Sequence, residues 1–328
     1  MTKENVFLIF TALLLFATAD FALAQEVSVE KKTPAPSKET EKEMTPERER
    51  TAYFWQPLKG FSGLEFTAQN NWISYNTVVS GVAESVAINS PVGTLTYSYG
   101  LTDLWAVSLE FMTTLAQIQT TVNGSTFPTS LGGPNDLGLI FKNTTPEGLR
   151  WNLHYGVKFN FSFDVSQPPG VGSSQGNNYS GGDGVSPYVG TSYNFSGTSF
   201  VGLQALYDYR GTRTVDPGEN IQGAWQNTGG NQALGTAFIE WHTYPWLFHL
   251  NGVWIWYSAQ QTTSTISNSD DNPYEAFLES LGIEYFLNKQ TFVAIGGALQ
   301  QVGGTSGAFT AVFAHGSETV DATFRVEF

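Results

Sequence analysis

The chain has 328 residues, in which 29 Asp and Glu outnumber 15 Lys and Arg for a formal net charge of −14, and it contains no cysteine. Nucleic acid is excluded as a partner, because its phosphates require many Lys and Arg side chains. The absence of cysteine excludes disulfides, thiolate metal sites and cysteine nucleophiles. The 4 histidines lie on separate segments without the close spacing of a metal site, so the sequence predicts no metal and no cofactor.

The first 24 residues have the layout of a secretory signal peptide. A charged start over residues 1–5 precedes an apolar run over 6–19, and the small-residue sequence Ala22-Leu23-Ala24 is typical of a cleavage site. The apolar run is too short to span a bilayer comfortably, and no later segment reaches the roughly 18 to 20 apolar residues of a membrane helix. We therefore predict that residues 1–24 direct export and are removed near Ala24.

Residues 25–52 are rich in Pro, Glu and Lys and alternate in charge. Such a composition buries too little apolar surface to offset the entropy that ordering would cost. We predict a disordered, charged periplasmic segment here, with a contact to peptidoglycan or to another partner as the alternative.

Residues 53–328 are predicted to form an all-β domain, a transmembrane antiparallel up-and-down β-barrel of twelve strands of the outer-membrane type. In such a wall apolar and polar residues alternate with period two, because one face meets lipid and the other meets the lumen. The clearest strand covers residues 149–163, where Trp151 and Leu153 alternate with Asn152 and His154. The other predicted strands lie near residues 60–72, 86–100, 104–116, 136–143, 185–195, 198–210, 232–243, 246–258, 275–287, 291–302 and 319–328. An even number of strands brings both chain ends to the periplasm.

The connections between these strands alternate in length, which is a second indication of a membrane barrel. Short connections are predicted at residues 101–103, 144–148, 196–197, 244–245 and 288–290, and long loops surround residues 76–84, 119–134, 164–183, 211–230, 260–272 and 303–316. Short periplasmic turns and long extracellular loops are expected of outer-membrane barrels. A soluble β-sandwich has no reason to sort its loops in this way.

The period-two register assigns a set of polar side chains to the lumen. These lumen-lining candidates are Glu65, Glu110, Lys142, Arg150, His154, Lys158, Asp208, Arg210, Glu240, His242, His249, Glu284, Arg325 and Glu327. Lys142, Arg150 and Lys158 come from neighbouring predicted strands and are expected to form a basic ladder opposite acidic groups such as Glu110. A ladder of this kind orients a field across the pore and favours small polar solutes or ions. A purely structural role for these charges is the alternative.

The pattern favours a channel or transporter for the diffusion or uptake of small solutes over two other functions. An outer-membrane lipid hydrolase of the phospholipase or lipid A deacylase type needs Ser and His on the lipid-facing wall, whereas the register assigns His154, His242 and His249 to the lumen. The letters G-x-S-x-G over residues 172–176 lie in a loop that lacks the strand and helix this motif requires. We therefore predict no enzyme activity and no catalytic residue. A structural or adhesive barrel is the second alternative, and the oligomeric state is left open.

The predicted long loops are acidic. An acidic mouth concentrates cations and repels anions, so small cations are one predicted class of solute. The same carboxylates suit divalent cations that bridge to lipopolysaccharide, and solubility alone is a third explanation. Outer-membrane lipids and lipopolysaccharide are accordingly predicted partners.

Two stretches resemble known sequence signals. Residues 97–107, YSYGLTDLWAV, resemble a hairpin of the MetA-pathway phenol-degradation family of outer-membrane transporters, and membership would imply uptake of small molecules, aromatic or hydrophobic ones among them. The turn carries over no binding residue. The alternation of the last predicted strand up to the terminal Phe328 resembles the C-terminal signal that the barrel assembly machinery reads. That resemblance implies this machinery as a partner and the outer membrane of a Gram-negative bacterium as the location.

Overall fold

The computed structural model describes residues 54–79, 82–145, 150–162, 175–176, 182–196, 198–215, 225–264, 268–271, 273–288, 290–302 and 313–328. These residues form β1 (Ser62–Val79), β2 (Val82–Gly100), β3 (Trp105–Val122), β4 (Ser125–Thr144), β5 (Trp151–Ser162), β6 (Gln175–Gly176), β7 (Gly184–Asn194), β8 (Ser199–Arg210), β9 (Arg213–Val215), β10 (Trp225–Gly229), β11 (Gln232–Thr243), β12 (Trp246–Tyr257), β13 (Gln260–Ser264), β14 (Asn268–Asp271), β15 (Tyr274–Phe286), β16 (Thr291–Val302) and β17 (Phe313–Glu327). The predicted signal peptide over 1–24 and the charged segment over 25–52 lie outside the described residues. Within the described residues, no helix is long and apolar enough to cross a membrane.

Twelve of these strands form one closed antiparallel barrel. Round the wall the order is β1, β2, β3, β4, β5, β7, β8, β11, β12, β15, β16 and β17, and β17 pairs with β1 to close the ring. Closure pairs the backbone of every wall strand on both sides, which a strand surrounded by lipid requires. The predicted fold of twelve antiparallel strands is confirmed.

The wall has an apolar outer face and a polar inner face. On β5, Trp151, Leu153 and Tyr155 are 63%, 45% and 41% exposed, whereas Asn152 and His154 between them are each 1% exposed. Because successive side chains of a strand point to opposite faces, this pattern places large apolar groups outside and polar groups in the lumen. The polarity is the reverse of a soluble barrel and is that of a wall solvated by lipid.

Two of the predicted long loops are wrong. β1 and β2 stay paired as far as Val79 and Val82, so most of residues 76–84 are strand. β3 and β4 likewise stay paired through residues 119–134 and are joined by Asn123 and Gly124, whose φ angles are +49° and +80°. Asn-Gly is the preferred pair for a two-residue turn with positive φ, so the strands extend to the turn instead of ending in a loop.

Most of the remaining short strands lie at the same rim as these hairpins, which we call the hairpin rim. β9, β10, β13 and β14 form a separate four-stranded sheet in the order β14, β13, β10, β9. They lie within the predicted loops over 211–230 and 260–272, which therefore contain paired strands. Most of the predicted loops over 164–183 and 303–316 lie outside the described residues. The opposite rim carries the short turns and the end of the chain, and we call it the short-turn rim.

Candidate functional site

The chain passes through the lumen before it joins the wall. Residues 54–57 precede β1 and belong to no strand, yet Phe54 and Gln56 are buried and Pro57 is fully buried. A short segment without strand partners can bury itself in this way only inside the barrel. We call residues 54–57 the plug.

Phe54 packs against one side of the lumen. Its ring stacks on His154 of β5 with 3.9 Å between ring centroids and 16° between planes, and it meets Phe238 of β11 edge-on at 5.5 Å. Gly190 of β7 lies beneath the ring, since a Cβ atom at this position would stand 2.5 Å from Cζ of Phe54. The absence of a side chain at Gly190 therefore leaves the space that the Phe54 ring occupies.

Trp55 packs against the opposite side. Its indole lies over Gly63 of β1, where any Cβ atom would collide with the ring. The guanidinium of Arg325 on β17 stands 4.2 Å from the centre of the indole, an arrangement in which the positive charge faces the electron-rich ring. β17 and β7 are half-way round the wall from each other. The two adjacent aromatic residues thus reach across the lumen from wall to wall.

A backbone turn holds the plug at the short-turn rim. The N–H of Gly60 donates to the carbonyl of Gly100 at 2.8 Å, and the N–H of Gly100 donates to the carbonyl of Phe61 at 3.0 Å. The N–H of Leu58 donates to Oε1 of Glu327 at 3.3 Å. Gly60 has a φ of +78°, which a residue with a side chain rarely adopts, so the chain can reverse from the plug into β1.

The plug is the floor of a cavity of about 410 Å³ that extends toward the hairpin rim. The lining combines charged and amide side chains with apolar ones; it consists of Phe54, Trp55, Gln56, Ile140, Lys142, Asn143, His154, Lys158, Asn160, Ser186, Tyr188, Gln204, Leu206, Asp208, Arg210, Gln232 and Leu234. Its size lies within the range of small-molecule sites, which is roughly 300 to 1,000 Å³. The lumen therefore has room for a small solute above the plug.

Ion pairs connect strands along the inner face. Nζ of Lys158 on β5 lies 2.5 Å from Oε1 of Glu110 on β3 and passes over Gly138 of the intervening strand β4. Arg325 pairs with Glu65, which lies directly opposite it in the register of β1 and β17. In each pair the two opposite charges compensate each other inside the barrel, where both side chains are partly shielded from bulk water.

A larger network links four strands nearer the hairpin rim. Arg210 donates from Nε to Asp208 at 2.8 Å and from Nη1 to Asp136 on β4 at 3.0 Å. The hydroxyl of Ser186 on β7 donates to the other oxygen of Asp208 at 2.5 Å, and Asn160 on β5 donates to that hydroxyl at 3.0 Å. One guanidinium thus pairs with two buried carboxylates, and the three groups keep one net negative charge.

Histidines and carboxylates occupy the other half of the inner wall. Nε2 of His242 lies 3.0 Å from Oε2 of Glu240, and Nδ1 of His249 lies 3.9 Å from Oε1 of Glu284. No cluster of three such residues that could hold a metal ion occurs within the described ranges. These groups are arranged as pairs along the wall.

Comparison with known proteins places this arrangement among membrane barrels. No protein-family model matches the chain, and none of the curated proteins matches it. The COG4313 outer membrane channel from Pseudomonas putida F1 superposes with a TM-score of 0.58 at 11% identity, over 85% of this chain and 99% of that one. The transport unit of the autotransporter AIDA-I from Escherichia coli gives 0.53 at 14% identity, over 87% and 96%. The fold is that of an outer-membrane β-barrel.

The outer-membrane barrel carries nearly all of the lumen candidates on its inner face. Those that follow the inward parity of their strands are Glu65, Glu110, Lys142, His154, Lys158, Asp208, Arg210, Glu240, His242, His249, Glu284, Arg325 and Glu327. Arg150 does not, because it lies in the turn before β5 and is exposed. The expected basic ladder of Lys142, Arg150 and Lys158 is therefore wrong at Arg150, and Lys158 pairs with Glu110 instead. A role for these residues in transport stays a prediction.

The alternating pattern does not extend to the plug, so the sequence alone predicts no structure for residues 54–57. Its residues come before the first alternating segment, and the glycines that seat it lie on distant strands. Pro57 is a local indication that β1 does not begin earlier, since proline has no N–H to donate to a neighbouring strand.

Loosening the plug is expected to expose Gln56 to reagents in the solvent. The chain has no cysteine, so Gln56→Cys provides a single labelling site. The three atoms nearest to a Cβ atom built on Gly63 all belong to the Trp55 ring, so Gly63→Ala should displace that ring. We expect maleimide to label Cys at position 56 severalfold faster in the Gly63→Ala background.

Gly93→Ala is the matched control for this measurement. A Cβ atom on Gly93 would stand 3.4 Å from Cγ2 of Thr113, which is an ordinary contact. The labelling rate in this background should equal that of Gln56→Cys alone. Equal rates in the Gly63→Ala and Gly93→Ala backgrounds would contradict a plug seated on Gly63.

Proposed function

We propose that the chain is an outer-membrane channel for small solutes whose periplasmic end is closed at rest by residues 54–57. The observation that carries the proposal is the plug, which crosses the lumen and forms the floor of the 410 Å³ cavity. A barrel with a packed interior would need no separate segment to close it. Twelve strands lie between the side-chain-filled eight-stranded barrels and the open sixteen-stranded porins, so a removable plug decides whether the bore conducts.

The orientation follows from the strand number. In bacterial barrels with an even number of strands, both chain ends and the short turns face the periplasm. The short-turn rim, the plug and the charged residues 25–52 are then periplasmic, while the hairpin rim faces the cell exterior. Charged residues connected directly to the plug would give a periplasmic partner a means to withdraw it.

The finer assignments belong to the same proposal. They are export directed by residues 1–24, residence in the outer membrane of a Gram-negative bacterium among lipids and lipopolysaccharide, and assembly directed by the terminal Phe328. The resemblance of residues 97–107 to the MetA-pathway family supports uptake of small aromatic or hydrophobic molecules. No placement within the described residues favours a lipid hydrolase, because His154, His242 and His249 lie on the inner face and not on the lipid-facing wall.

Liposome swelling tests the proposed function directly. The full chain is reconstituted, and swelling is followed in a series of uncharged polar solutes of increasing size. Because the plug closes the bore at rest, we expect the unchanged protein to admit at most the smallest solutes, and slowly. We expect Phe54→Ala with Trp55→Ala to increase these rates and extend them to larger solutes. If neither protein admits any solute although both show the electrophoretic shift of a folded barrel on heating, the channel proposal is wrong.

A further inference from the structure

The cavity above the plug contains polar donors that the protein leaves without acceptors. Nε2 of Gln56 is buried and has no hydrogen-bond partner. Neither Nζ of Lys142 nor the hydroxyl of Tyr188 makes a hydrogen bond or ion pair with any described residue. All three residues line the same cavity. An unpaired ammonium group is costly to remove from bulk water, so its place in this lining calls for an explanation.

The charges around Lys142 leave it uncompensated. The ionised side chains that act on it are Glu65, Glu110, Lys158 and Arg325. Glu65 already pairs with Arg325, and Glu110 already pairs with Lys158. When Lys142 is protonated, two neutral pairs and one ammonium group give these five side chains one net positive charge. Arg210, Asp208 and Asp136, nearer the hairpin rim, sum to one negative charge. The end of the cavity around Lys142 is therefore matched to a single negative charge from outside the protein.

Tyr188 lies in the same part of the cavity lining as Lys142, with one strand between them. Lys142 of β4 lies directly opposite Gly156 of β5, which lies directly opposite Tyr188 of β7. The Tyr188 ring leans over Gly156 toward β4, since a Cβ atom on this glycine would stand 2.7 Å from both Cε1 and the hydroxyl oxygen of Tyr188. Lys142 and Tyr188 thus line the same cavity from the two strands that flank β5, and a carboxylate has two oxygens, one to accept a hydrogen bond from each.

The remaining lining of the cavity is apolar enough to hold a hydrocarbon body. Ile140, Leu206 and Leu234 contribute aliphatic surface, and Phe54 and Trp55 contribute aromatic surface at the floor. Flat apolar groups gain from both burial and stacking on such rings. A ligand that only carried a charge would leave this surface in contact with water.

We propose that the cavity is a binding site for small monocarboxylates with an apolar, ring-sized body, with Lys142 and Tyr188 binding the carboxylate and the plug aromatics contacting the ring. The proposal deepens the proposed function, on which it rests for access to the lumen, by naming the class of solute. It also gives the plug a second role in ligand binding, because Phe54 and Trp55, which close the bore, would contact the ligand in the cavity.

The acidity of the whole chain does not oppose an anion site. The net charge of −14 is spread over the chain, and charges in water act over about 8 Å at physiological ionic strength. A cation inside the lumen is screened less than charges in exposed loops. Within the lumen, Glu65 and Glu110 are paired with Arg325 and Lys158, and Asp136 and Asp208 share Arg210. The charge at Lys142 therefore governs which ligand binds at its end of the cavity, while the acidic loops influence how fast an anion arrives.

Calorimetric titration of the folded full chain in detergent micelles with benzoate, benzamide and acetate tests the proposal. Benzamide has the same shape without the charge, and acetate has the charge without the ring. We expect saturable benzoate binding. Benzamide should bind about tenfold more weakly or worse because it lacks the charge-assisted contact, and acetate should bind about tenfold more weakly or worse because it lacks the buried ring. Lys142→Met should weaken benzoate binding by about tenfold or more, and Tyr188→Phe should weaken it severalfold.

Lys59→Met is the matched control, because Lys59 is exposed at the short-turn rim and its side chain is outside the cavity lining. It should bind benzoate as the unchanged protein does. The proposal is overturned if benzoate does not bind, if benzamide or acetate binds as tightly, or if folded Lys142→Met retains full affinity. Binding is measured without a membrane, so benzoate binding with no liposome swelling would overturn the channel and leave the site, whereas swelling without benzoate binding would do the reverse.

Discussion

Replacing Phe54 and Trp55 together by alanine is expected to convert a barrel that conducts little into one with steady ohmic conductance. The two rings reach opposite walls at the floor of the lumen. Alanine at both positions removes the rings while leaving the backbone turn at Gly60 and Gly100 in place. Single-channel recording in a planar bilayer should show a severalfold increase in mean conductance over the unchanged protein.

Phe61→Ala supplies the control for this experiment. Phe61 is an aromatic residue four positions past the plug that is exposed at the rim, 41% of its surface being accessible, so its loss removes a ring of the same kind from outside the lumen. Its conductance should match that of the unchanged protein. If the double variant folds and conducts no better than Phe61→Ala, the plug does not close the bore.

The wall of the barrel could be predicted from the sequence because its cause is local. Each strand meets lipid on one face and the lumen on the other, so the pattern Trp151, Asn152, Leu153, His154 is complete within four residues. Inward parity follows from the same pattern, which explains why the lumen candidates were found without any knowledge of pairing. The Asn123 and Gly124 turn was also visible in the sequence, and the prediction of a loop over 119–134 overlooked it.

The contacts that make the site could not be predicted in this way because they depend on closure of the barrel. Glu65 and Arg325 are 260 positions apart and meet only because β17 pairs with β1. The glycines that contact the plug also depend on closure of the barrel. Within their own strands Gly63 and Gly190 show nothing unusual, and their contacts with Trp55 and Phe54 form only when residues 54–57 lie between them. Arg150 shows the converse error, since parity assigned an inward position to a residue that lies outside any strand.

Arg210→Met is expected to cost about 3 to 5 kcal/mol of unfolding free energy, which is the usual result of removing one member of a buried ion pair. Arg210 is the shared cation of Asp208 and Asp136, which are 9% and 2% exposed. Methionine keeps much of the side-chain volume but leaves both carboxylates without that guanidinium. Because the pair joins β4 to β8 across two other strands, we expect the loss to lower the midpoint of unfolding in urea, followed by tryptophan fluorescence in detergent micelles.

Neutralising the two carboxylates in the same chain separates lost charge pairing from lost packing. Arg210→Met combined with Asp136→Asn and Asp208→Asn should recover most of the stability, because uncharged side chains of similar shape do not require a counterion. Arg150→Met changes the same residue type at the exposed short-turn rim and should alter the unfolding free energy by less than about 0.5 kcal/mol. A triple variant no more stable than Arg210→Met would mean that the guanidinium acts through its packing against the wall and not through its charge. The four-strand network would then be a consequence of the fold and not one of the interactions that hold the inner wall together.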